Sequence, residues 1–202
     1  ELFELCVRGY AIVASDVRGQ GASFGSYDGC MSVEEGKDGA QIIEWLSEQA
    51  WCNGKVGMMG SSYGGATQFL TAAEKPPSLK ALYIAHIYCD AFDVFFPGGV
   101  KELSLPKCWG KLIDDLAGRT APSQVAPVDG DDAEKLLAQA ITAHKKTAGF
   151  KPVFDYIYEH PVRDGNSYYL TLPSSGSVNL CTLLPKLQQT DLPAYFHGGW
   201  ND

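Results

Sequence analysis

The sequence predicts an α/β protein: a doubly wound, mostly parallel sheet interrupted by a helical insertion. Three observations carry that reading. Residues 10–87 alternate as strand, helix, strand, helix, strand, the pattern of parallel strands joined by crossover helices. The first of these strands, Tyr10-Ala11-Ile12-Val13-Ala14-Ser15, is apolar without alternation, as expected where both faces of a parallel sheet are covered. From about residue 94 to 190 the alternation stops and helical pieces joined by Gly- and Pro-rich turns take over, before a strand returns at 192–198.

Length and composition narrow the function classes. The 202 residues suffice for one sizeable core, or a core with a lid. Hydrophobic residues at 45% and charged residues at 20% describe an ordinary globular chain. A net charge of −8 without a basic patch argues against nucleic acid as a partner, and no apolar run approaches the length of a membrane span. Cys6, Cys30, Cys52, Cys89, Cys108 and Cys181 are scattered without Cys-x-x-Cys pairs. That is neither a zinc pattern nor a disulfide scaffold, so buried free thiols and no metal are expected. Glu1 is not a start methionine, and the first residues look like the end of a helix rather than a signal peptide. The sequence therefore reads as an internal piece, incomplete at both ends, and assigns neither a location nor an oligomeric state.

In chain order, Leu2 to Arg8 reads as the last turns of a helix closed by Gly9. After the strand at 10–15, Asp16 and Arg18 open a Gly- and Ser-rich loop, where the pair is expected to hold the loop against the turn at residues 60–64 through charge-assisted hydrogen bonds. Val33 to Gln49 is an amphipathic helix. Ser32 and Glu35 form a capping box, and Ala40, Ile43, Trp45, Leu46 and Ala50 lie broadly on one side. Pro76-Pro77 ends the next helix, and 79–87 is a further strand. Within the insertion, Asp131 to Ala148 is the clearest helix. Its aromatic loops, Phe95-Phe96, Trp109 and 154–158, either line a pocket or fill the insertion's own core. The expected division is 1–93 core, 94–190 cap, and 191–202 core again.

The stretch with chemical content is Lys55-Val56-Gly57-Met58-Met59-Gly60-Ser61-Ser62-Tyr63-Gly64-Gly65. Strand, then Gly-x-Ser-x-Gly, then helix is the layout of a nucleophile elbow, which lifts the Ser62 hydroxyl above the sheet edge. Gly60 and Gly64 are expected where strand and helix come too close for side chains. The helix N-terminus offers N–H groups to developing negative charge. The rival reading, a phosphate loop, lacks the Lys-Ser/Thr and the Gly spacing it needs. A serine needs a base, and the base needs an acid. Asp202 follows a later strand end and is the candidate acid, with Asp90 and Asp93 as fallbacks. His86, His144, His160 and His197 all precede Asp202 and read as structural.

Four segments, Asp16-Val17-Arg18-Gly19-Gln20-Gly21-Ala22-Ser23, Trp51-Cys52-Asn53-Gly54-Lys55-Val56-Gly57, Gly60 to Gly65, and Pro193 to Asp202, resemble the cocaine esterase / X-Pro dipeptidyl-peptidase (S15) family of serine hydrolases. The resemblance implies an α/β-hydrolase fold with a helical cap, no cofactor, Ser62 as acyl nucleophile, Asp202 as triad acid, and the Tyr63 backbone N–H as one oxyanion donor. It also implies a tyrosine hydroxyl before Glu1 and a triad histidine beyond Asp202, so residues 1–202 alone are expected to turn over little. Substrates would be small esters or amides, with short peptides from which an X-Pro dipeptide is removed as the alternative. Gly65 stands where the α-amino acid ester hydrolases carry an acidic residue, which counts against that branch. A hydrolase-fold protein that binds without catalysis is the reading of a different class.

Overall fold

The computed structural model describes residues 2–27, 29–118, 130, 135–146, 149, 155, 158–159 and 180–199. Its sheet has three parallel strands in the order β1 (Val56–Ser61), β2 (Leu79–Ala85) and β3 (Ala194–His197). The register sets Ser61 beside Ala85 and Ala85 beside His197, so all three strands end along one line. Helix α1 (Leu2–Val7) ends as expected at Gly9, where φ is +88° and the Tyr10 N–H donates to the Leu5 carbonyl at 3.1 Å.

The core forms where α2 (Val33–Ser47) and α3 (Tyr63–Ala73) pack on each other and on the sheet. Ile43 from α2 meets Phe69, Leu70 and Ala73 from α3 and Leu82 and Ile84 from β2. The helices approach closely at Gly36, where a Cβ would lie 2.8 Å from the Leu70 carbonyl oxygen. Met59, Tyr83 and Tyr195, neighbours across the three strands, mark the face turned away from α3, and all three are exposed.

Three local expectations change. Residues 10–15 form no ladder, and Tyr10 and Val13 are exposed. A strand is defined by its partner, and none of β1–β3 runs beside this segment. Trp45 is exposed rather than in the core, because two residues beyond Ile43 a helix has turned to its opposite side. Arg18 holds the loop to α2 rather than to the serine turn. Its Nε and Nη2 reach both Asp38 carboxylate oxygens at 2.7 and 2.6 Å, while Asp16 accepts from the Ala22 N–H within its own loop.

Between β2 and β3 the described residues form helices: α4 (Ala91–Phe95), α5 (Ser104–Leu116), α6 (Lys135–His144) and α7 (Leu184–Leu187), with short 3₁₀ turns. Of the helix expected over 131–148, residues 135–144 are helical, whereas 131–134 and 147–148 lie outside the described residues. Phe95 and Phe96 are buried and pack edge-on against Tyr158, so these aromatics fill a core rather than line a pocket. The cysteines are free thiols, but only Cys30 is buried; Cys52, Cys89 and Cys181 are half-buried and Cys6 and Cys108 exposed.

Candidate active site

Ser62 stands between β1 and α3 with φ +55° and ψ −118°, a backbone conformation that L-residues rarely adopt. Three hydrogen bonds hold it there. Its N–H donates to the Ala85 carbonyl of β2 at 3.0 Å, and its carbonyl accepts from Gly65 and Ala66 at 2.9 and 3.0 Å. The Ser62 side chain makes no capping bond to α3, so the hydroxyl is not consumed by the helix end. Tyr63 follows at the first helical position, where a backbone N–H has no acceptor within its own helix.

The tight turn explains one of the two glycines. A Cβ on Gly60 would come within 2.7 Å of the Gly64 carbonyl oxygen, whereas a Cβ on Gly64 would meet nothing within 4 Å. Only Gly60 is therefore required by close approach. Gln68, fully buried on α3, donates from Nε2 to the Gly64 carbonyl at 3.0 Å and the Tyr83 carbonyl at 2.9 Å. It fastens the turn and helix to β2.

Tyr63 is the most connected side chain of the turn. Its hydroxyl donates to Glu35 Oε2 at 2.8 Å and accepts from the Met31 N–H at 3.2 Å. Its ring lies 6.0 Å, centroid to centroid, from Trp109 of α5. Glu35 is only 5% exposed, and its Oε1 accepts from both the N–H and the hydroxyl of Ser32 in the capping box on α2. Burial pushes the Glu35 carboxyl up to about 7, against the hydrogen bonds from Tyr63 and Ser32, which favour its charged form; the Asp38 charge adds to the rise. Burial also drives the Tyr63 hydroxyl and the Cys30 thiol upward, with Glu35 adding to both and Tyr27 to the Tyr63 shift.

Sequence reasoning saw Glu35 only as a helix cap and did not single out Gln68. A signal for Glu35 was available: it stands eight residues before Ile43 and eleven before Leu46, on the buried stripe of α2.

Among the other candidates, His86 directly follows β2 and His197 ends β3. Their rings are 5.5 Å apart, the His86 N–H donates to the His197 carbonyl at 2.9 Å, and His197 Nδ1 lies 3.2 Å from the Tyr83 hydroxyl. His144 is fully buried, with Nδ1 3.0 Å from the Ala117 carbonyl and Nε2 2.8 Å from the Ser23 carbonyl. Asp93 lies on α4 and its N–H donates to the Asp90 carbonyl at 3.2 Å. His160 and the candidate acid Asp202 lie outside the described residues.

A parallel sheet with a strained serine between strand and helix is the architecture of an α/β-hydrolase fold. A solved CocE/NonD family hydrolase from Staphylococcus aureus shares that fold with a TM-score of 0.53 and 23% identity, over 90% of this chain and 31% of its own. Residues 3–202 match the family model described as X-Pro dipeptidyl-peptidase (S15 family), and the chain belongs to that family. It is 31% identical to the "Putative serine esterase Mb1866c" of Mycobacterium bovis over 96% of this chain and 35% of that protein. It is 30% identical to the cocaine esterase of Rhodococcus sp. over 96% of this chain and 34% of that protein. The chain thus spans about a third of the length of these relatives.

Proposed function

We propose that this chain carries the nucleophile and the acid of a serine hydrolase that cleaves esters or amides by acyl transfer, in the manner of the esterase and acylase members of its family. The observation that carries this reading is Ser62, held at φ +55° with no capping bond, directly ahead of the Tyr63 N–H. Such strain persists where surrounding bonds over-determine it, and here it serves to expose a nucleophile. Ser62 attacks the carbonyl carbon as a histidine removes its proton, and the Tyr63 N–H receives the oxyanion. The leaving alcohol or amine takes that proton, and water then releases the acyl group. The register supports Asp202 as triad acid, since β3 ends at His197 on the same sheet edge as Ser61, five residues before Asp202 in the sequence. In this reading residues 94–190 form the cap over that edge. The description of the matching family favours a second substrate class, peptides with proline as their second residue, from which the X-Pro dipeptide is released.

The test uses the full-length protein. A fluorophosphonate probe should label Ser62, and Ser62→Ala should abolish labelling and lower ester turnover by about ten-thousandfold or more. Comparing a p-nitrophenyl ester with a glycyl-prolyl p-nitroanilide separates the two substrate classes. Absence of labelling in an active enzyme would overturn the serine mechanism, and absence of both labelling and turnover would favour a binding role for the fold.

A further inference from the structure

The Tyr63 side chain is placed unusually for a residue whose backbone is expected to do the chemistry. Its hydroxyl is fixed from two sides, by the Glu35 carboxyl at 2.8 Å and the Met31 N–H at 3.2 Å, and its ring rests against Trp109. The direction of the Tyr63 N–H is set by ψ of Ser62 and φ of Tyr63. Ser62 is strained and would relax by rotating that peptide plane. The Gly65 and Ala66 N–H groups oppose that rotation through the Ser62 carbonyl of the same plane, at 2.9 and 3.0 Å, and the anchored Tyr63 side chain adds a second restraint from its far end.

We propose that Glu35 is a positioning residue for the oxyanion site: its buried carboxyl holds the Tyr63 hydroxyl and thereby aims the Tyr63 N–H at the carbonyl oxygen of the substrate. The inference rests on the reading of Ser62 as nucleophile. The two carboxyl oxygens divide the work, since Oε1 serves the α2 cap and Oε2 serves Tyr63. A residue with one acceptor oxygen serves one of them and leaves a buried donor unpaired at the other. The carboxyl is desolvated, so the bond it makes is stiff as well as strong.

The experiment compares Glu35→Gln, Tyr63→Phe and the double variant with the parent in the full-length enzyme, each checked by circular dichroism for an unchanged fold. Because oxyanion stabilisation acts in the transition state and not in substrate binding, kcat should fall by about tenfold to a hundredfold in each single variant. KM should stay within about twofold. Since both variants break one bond, the double variant should lose no more than the worse single one. An aryl trifluoromethyl ketone, which forms a tetrahedral adduct with a serine, should lose affinity in parallel with kcat. If Glu35→Gln fails to fold, Tyr63→Phe alone decides, because it removes one oxygen and leaves the ring on Trp109. An unchanged kcat, a loss confined to KM, or losses that multiply in the double variant would overturn the proposal while leaving Ser62 as the nucleophile. Failure of the fluorophosphonate to label Ser62 in the active parent would instead sink the reading beneath it.

Discussion

A carboxyl group that titrates near neutrality inside a hydrophobic core links this turn to pH through stability as well as geometry. Glu35 is pushed from an ordinary value near 4.5 up to about 7 by burial. The folded state therefore holds its proton over a range in which the unfolded chain has released it. Below pH 4.5 both states are protonated and the contribution is complete; as pH rises through 7 it is lost, about 3 kcal/mol across the window. The titratable groups around it do not reverse this sign. Tyr63 and Cys30 are pushed upward and stay neutral there, and Asp38 is paired with Arg18. Tm of the full-length protein should accordingly fall between pH 5 and pH 8 more steeply than in Glu35→Gln, in which the group cannot ionise. Parallel curves for the two proteins would show that Glu35 is not buried as described.

At the scale of elements, the turn around Ser62 is specified by contacts rather than by its motif. Gly60 and Gly64 look equivalent in Gly-x-Ser-x-Gly, yet only Gly60 abuts backbone. Gly60→Ala should destabilise the full-length protein by about 1–3 kcal/mol by overpacking, with Ser62 labelling lost in parallel, whereas Gly64→Ala should stay within about 0.5 kcal/mol. Thermal melts of the two variants check the contrast; equal losses would mean that the turn is built differently. The same distinction explains what could be read from the sequence. The capping box of α2 and the order of strand, serine and helix were legible because their determinants lie within a few residues of each other. The Tyr63–Glu35 bond spans 28 positions and the Gln68–Tyr83 bond 15, and nothing local announces either. Residues 10–15 misled for the same reason: apolar content suggests a strand, but pairing is a property of the neighbour.

For the whole molecule, what matters is how the helical region between β2 and β3 returns to the sheet. One of its attachments reaches the site, where Trp109 packs on Tyr63; another, His144, lies between the carbonyls of Ser23 and Ala117. A third can be probed chemically. Cys89, just past β2, and Cys181, just before α7, have their sulfurs 2.8 Å apart, and the Cys181 N–H donates to the Cys89 carbonyl at 3.3 Å. Burial, followed by the hydrogen bond with Cys181, pushes the Cys89 thiol up to about 12, so little thiolate is present at neutral pH and alkylation should be slow. Iodoacetamide should therefore modify the exposed Cys6 and Cys108 well before Cys89 in the native full-length protein. Diamide, an azo oxidant, should still join the pair: the azo group takes up two electrons and two protons to become a hydrazine, and the two thiols become one disulfide. Peptide mapping without reductant should recover the Cys89–Cys181 link from native protein and not from protein oxidised in denaturant. Cys181→Ser should remove the link. Rapid alkylation of Cys89, or cross-links spread over other cysteine pairs, would mean that the return segment does not dock on the end of β2, and the link between the helical region and the strand edge bearing Ser62 would have to be redrawn.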